Sequence, residues 1–226
     1  MKKEIRLILI SLISIVILGS LYIRYKERMY RFDNKTQIQE KKIIDNLTEQ
    51  VETNVIRKQP IQDKQLEELL ARYIYSRYYR MYEKLAKEIS HYLVYESKIP
   101  YLMIGLVEAE SSFIVQQVSS VGAAGLGQIR YKFWKKEAKQ FNINNKKELF
   151  DPIKNLRLSE YILLKFIKEE GSIEKALVRY HTGVKGGLVK IKNIKQRKRT
   201  KEYIKRILSV CGDVYLYVQL NNEKIN

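Results

Sequence analysis

The sequence predicts an all-α protein in three parts: a membrane-crossing helix, a polar stalk and a mainly helical domain. Three observations carry this expectation. Only three prolines and ten glycines interrupt 226 residues, and no glycine falls between Ser20 and Ile104. Apolar residues recur at steps of three and four, with little of the alternation that marks strands. Finally, 45% of residues are hydrophobic and 11% aromatic, enough to build a core.

Residues 1–31 form the first part. Leu7–Ile23 is uncharged, and twelve of its seventeen residues are Leu, Ile or Val. As a helix it spans about 25 Å, close to a hydrocarbon core of about 30 Å. Arg6 and Arg24 bracket it, with Tyr22 and Tyr25 suited to the interface. The run exceeds the 7–15 residues of a signal-peptide core, and Ile17-Leu-Gly-Ser20 lacks a small-x-small cleavage pair. An uncleaved anchor through residues 7–23 is the expectation. Basic residues lie on both sides of the span, so their balance does not assign an orientation.

Residues 32–65 read as a polar stalk, and residues 66–226 as the helical domain. Leu66, Leu69, Leu70, Tyr73, Ile74, Tyr78, Met81, Tyr82, Leu85, Ile89, Tyr92 and Leu93 draw one apolar face along a long helix from Ile61 to Ser97. Eight of the 17 tyrosines lie between Tyr73 and Tyr101; at core-facing positions they read as packing. Pro100 opens the next helix, which runs to Glu110. Further helices are expected at about 131–141, 152–169, 172–181 and 200–220. Asp151 before Pro152 and Ser172 before Ile173 are N-cap signals, and Gly171 is a helix stop.

Composition removes several chemistries. Cys211 is the one cysteine, and His91 and His181 are the two histidines, so neither a cysteine cage nor a multi-histidine metal centre is expected. Forty-three Lys and Arg against 25 Asp and Glu give a net charge of +18. Residues 1–31 hold +5 of it and residues 185–206 hold +9, leaving +4 for the rest. The segment Lys185–Arg206, with Tyr203 inside it, suits anionic lipids or wall polymers. Nucleic acid is not the expected partner, because no recognised DNA-binding module accompanies the charge.

Six of the ten glycines sit in two stretches: Gly122, Gly125 and Gly127, then Gly183, Gly186 and Gly187. The first is no phosphate loop, since it lacks the Gly-Lys-Ser/Thr ending and follows no strand. Glu110 precedes it, at the end of an almost wholly apolar helix. Its carboxyl lies one turn beyond Leu106 and Val107, where desolvation would raise a carboxyl pKa toward that of a general acid; taken alone, Glu110 reads rather as a solvated helix-end residue. Glu108 points about 200° away and is no close partner.

Several ordered motifs resemble one family. They are Glu110-Ser-Ser-Phe113, Val118-Ser119, Gly122-Ala-Ala-Gly-Leu-Gly-Gln128, Asn155 with Tyr161, and Ala176-Leu-Val-Arg-Tyr180-His-Thr-Gly183. Across residues 85–190 their order and spacing are similar to the soluble lytic transglycosylases, which have a goose-type lysozyme-like fold. The departures are specific. Ile114-Val115 replaces Asn-Pro, Gly127 replaces a common methionine, Arg130-Tyr131 stands at the usual Met-Pro, and His181 takes the place of asparagine.

The resemblance implies a lysozyme-like transglycosylase domain that cleaves the β-1,4 bond between N-acetylmuramic acid and N-acetylglucosamine in peptidoglycan. It implies Glu110 as the catalytic acid and base, Tyr180 beside it to orient or polarise it, and Ser119, Gln128, Tyr180 and His181 at the glycan. No metal or organic cofactor is implied. Peptidoglycan lies outside the cytoplasmic membrane, which places the domain on the extracytoplasmic face of a single-pass protein, near any envelope-assembly protein it serves. The alternatives within the same fold are a weak or inactive peptidoglycan-binding scaffold and a lysozyme-like hydrolase.

Overall fold

The computed structural model describes residues 63–78 and 81–222. Among these residues there are no strands, only isolated bridges between Ala124 and its neighbours Val118 and Ile129. Seven α-helices make the domain: α1 (Asp63–Arg77), α2 (Glu83–Tyr95), α3 (Pro100–Ser111), α4 (Tyr131–Ala138), α5 (Pro152–Glu170), α6 (Ile173–Thr182) and α7 (Ile194–Asn222). None of them is long and apolar enough to cross a membrane. The span expected at Leu7–Ile23 and most of the expected stalk lie outside the described residues.

The helix expected from Ile61 to Ser97 is instead two helices, α1 and α2, separated at Tyr78–Tyr82 and packed on each other. Unbroken, it would run about 55 Å, with most of its apolar face beyond reach of the domain. Folding back buries Leu69, Leu70 and Ile74 on α1, and Ala86, Ile89 and Leu93 on α2. No proline or glycine marks the break. Tyr78, just after α1, donates its hydroxyl to Glu108 on α3 instead of continuing the helix.

The caps follow local chemistry. Asp151 Oδ1 accepts from the Lys154 amide at 2.9 Å, with Pro152 at the first helical position of α5. Gly171 ends α5 in the left-handed region, and Ser172 Oγ accepts from the Lys175 amide to open α6.

Helix α3 is the centre of the domain, with Tyr101–Val107 all buried. It runs antiparallel to α7, as three contacts show. The Cys211 thiol meets the Tyr101 carbonyl, Gly105 faces Ile207, and Glu110 meets Tyr203. Gly105 sets the approach: a Cβ there would stand 2.6 Å from the Ile207 carbonyl oxygen. This close crossing brings the first turns of α7 over the end of α3.

Candidate active site

Helix α3 stops just past Glu110 because Ser112 and Phe113 both adopt positive φ, 49° and 59°. Such residues are held there only by surrounding structure. Phe113 is buried, with its ring 4.3 Å from that of Tyr78. The ending fixes Glu110 under α7, where Tyr203 donates its hydroxyl to Glu110 Oε1 at 2.6 Å. Burial raises the Glu110 pKa to about 7, and the Tyr203 hydrogen bond opposes the rise. Near neutral pH the carboxyl therefore holds a proton for much of the time and can release it, as acid–base catalysis needs.

The expectation for Tyr180 was a contact orienting Glu110. Its hydroxyl instead donates to the Gly127 carbonyl at 2.8 Å. Burial first, and then the nearby Glu110 charge, push the Tyr180 hydroxyl pKa up, so this donor stays protonated. Tyr203 occupies the orienting place. In the sequence it belonged to a basic segment; its spacing from Thr200, Ile204 and Ile207, all buried, was the signal that it faces inward.

His181 stacks on Tyr203 with ring centroids 4.2 Å apart and planes 22° from parallel. Tyr203 covers one side of the ring while the rest meets solvent, and desolvation lowers the imidazole pKa. The ring is therefore a neutral platform at pH 7.

The glycine loop is braced from below. Buried Asn155 accepts from the Gly127 amide at 2.8 Å and donates to the Leu149 and Ala124 carbonyls at 2.8 and 3.2 Å. A Cβ on Gly125 would stand 2.1 Å from Asn155 Nδ2 at φ +78°, and one on Gly127 would stand 1.9 Å from Ser159 Oγ. The space of the family's methionine is therefore taken by Ser159. Ser119 Oγ accepts from the Ala123 amide at 3.0 Å. Gln128, at φ 50°, donates its amide to the Gln117 and Gly125 carbonyls. The polar atoms of Ser119 and Gln128 thus build the loop itself, although Gln128 also borders the adjoining cleft.

That cleft has a volume of about 300 Å³ and is walled by Gln128, Trp134, Phe166, Tyr180 and His181. Among the described residues, no group of three His, Cys, Asp or Glu side chains could hold a metal.

Among the described residues, a desolvated glutamic acid near an aromatic-walled cleft on an all-helical frame is an arrangement able to give and take a proton. The transglycosylase SLT domain family model matches residues 91–205, just over half of the chain, and the chain belongs to that family. The match takes in Glu110, the glycine loop, Tyr180, His181 and Tyr203. Membership assigns peptidoglycan as the substrate class and lytic transglycosylase as the general type of activity. No solved structure matches the chain at a significant level.

Proposed function

We propose that this protein is a membrane-anchored lytic transglycosylase that cleaves the bond between N-acetylmuramic acid and N-acetylglucosamine, leaving a 1,6-anhydro-muramic end. The observation that carries this reading is the raised-pKa carboxyl of Glu110, held by a hydroxyl and with no second carboxylate acting on it among the described residues. Glycosidases that use water normally need two carboxyl groups, one of them to activate that water. An intramolecular nucleophile removes the need.

Protonated Glu110 donates its proton to the leaving glycosidic oxygen as the C1–O bond breaks. The carboxylate so formed takes the proton of the muramic 6-hydroxyl, whose oxygen closes on C1. Glu110 ends the cycle protonated, and no water is consumed. Tyr203 positions the carboxyl through both steps, and the neutral rings of His181 and Trp134 offer stacking surfaces for sugar. Residues 7–23 hold the domain at the extracytoplasmic face of the cytoplasmic membrane with Met1 inside, an arrangement suited to local wall opening beside an envelope-assembly protein.

The test is mass spectrometry of purified peptidoglycan digested by the full chain in detergent, beside Glu110→Gln. Anhydro-muramic ends are expected, with a loss of about 10²–10⁴-fold in the variant. Reducing muramic ends would identify a hydrolase. Release of no fragments by folded protein would leave a glycan-binding scaffold.

A further inference from the structure

Arg130 follows the glycine loop at the mouth of the cleft, and its side chain is one of the linings that Glu110 chemistry does not use. Its Nε is buried and has no hydrogen-bond partner. None of the ion pairs in the described domain involves it, whereas Arg179 in the same wall is bound to Glu169 at 2.5 Å and Glu170 at 3.2 Å. Its guanidinium carbon lies 4.5 Å from the centre of the Phe133 ring, which holds the group in place. Phe133 itself is 60% exposed, and Lys132 Nζ approaches the same ring at 4.9 Å. The entrance therefore presents a fixed planar cation and an apolar plate, and among the described residues that line the cleft there is no acid to neutralise the cation.

A buried guanidinium donor left unpaired is costly, and native proteins nearly always give such a donor an acceptor. The fork of an arginine fits a carboxylate better than any other acceptor. The family's usual residue at this place, methionine, has neither charge nor donor, so the fold alone does not call for an arginine here. The sugar rings of the glycan strand offer neutral hydroxyl and acetamido groups. Carboxylates enter the polymer through the peptide stem carried on muramic acid.

We infer that Arg130 is a specificity-determining residue that binds a carboxylate of the peptide stem, so that the cleft selects stem-bearing over bare glycan. The inference rests on the peptidoglycan reading above, and binding can separate the two. Affinity is measured with the full chain carrying Glu110→Gln in detergent, so that no strand is cut. The probes are glycan strands with intact stems, with stem carboxylates blocked as amides, and with stems removed.

Intact strands are expected to bind about tenfold tighter than either of the others, by a margin that shrinks as salt is added. Adding Arg130→Met should abolish the preference while leaving the thermal midpoint in place. Arg130→Lys, which keeps the charge without the planar fork, should keep part of it. A preference that survives Arg130→Met, or amidated stems that bind as well as intact ones, would overturn the inference and leave the catalytic reading standing. Failure to bind any strand would bring down both.

Discussion

Two glutamates two positions apart on α3 meet the same helix, α7, on different terms. Glu108 accepts the Tyr78 hydroxyl and lies 3.6 Å from Arg206, whose guanidinium also reaches the Glu108 carbonyl at 3.1 Å. Glu110 has the Tyr203 hydroxyl alone, at 2.6 Å. A cation and a hydroxyl together make Glu108 a strut tying α3 to α7 and to the chain just after α1. A hydroxyl without a cation leaves Glu110 in a desolvated place where holding a proton is favourable. Helical phase separates the two groups, and burial is what sets Glu110 apart as a proton donor.

The stability of the fold offers the largest break in this comparison. The folded state binds a proton at Glu110 up to a pH of about 7, against an ordinary value of 4.5. Between those values the unfolded chain ionises first, so stability falls as pH rises through the window, by about 3 kcal/mol in all. Glu110→Gln has no proton to lose. Its thermal midpoint should match the parent near pH 4.5 and exceed it above pH 7.5. Parallel curves at all pH values would mean that Glu110 is solvated.

Glu108→Ala should act in the opposite sense. It removes the acceptor of Tyr78 and the counter-ion of Arg206, so urea unfolding should show a loss of about 1–3 kcal/mol. Cleavage per folded molecule should persist. Loss of cleavage with unchanged stability would exchange the roles assigned to the two glutamates.

What was legible in the sequence follows the same division between local and long-range causes. The caps at Asp151 and Ser172 and the stop at Gly171 are set within four residues, and each falls where its chemistry placed it. Glu110 was legible through the ordered motifs around it, because an acid at the end of an apolar helix, taken alone, reads rather as a solvated helix end. The break between α1 and α2 was not, because it is made by Tyr78 reaching thirty residues along the chain to Glu108. The two glycine clusters also look alike in sequence. Gly125 and Gly127 stand against Asn155 and Ser159, where any Cβ would collide. Gly186 and Gly187 face the stems of Lys190 and Lys175 at 3.0 Å, and Gly183 faces open space. All but Gly127 have positive φ, so the turn explains the second cluster and Gly122, while close approach to Asn155 and Ser159 explains Gly125 and Gly127. That approach depends on α5 lying beneath the loop, which the spacing of glycines does not encode. Tyr203 was hidden for a similar reason: it lies in a segment of net charge +9, and its neighbours in space are Glu110 and His181.

The finest test of the two environments is Tyr203→Phe. The ring is kept, so its stack with His181 and its place between α7 and the end of α3 persist, and the melting behaviour should change little. What is lost is the hydroxyl that stabilises the ionised form of Glu110. Its removal should raise the Glu110 pKa above the value of about 7 and carry the alkaline limb of kcat/KM upward with it, since the reaction begins from the protonated acid. A freer carboxyl is also less well aimed, so the rate at the new optimum should fall about tenfold, equivalent to about 1.4 kcal/mol of barrier. A rate loss with the limb unmoved would reduce Tyr203 to a positioning group. A limb moved toward acid would show that Tyr203 stabilises the protonated form of Glu110 and that its hydroxyl works against the release of the proton.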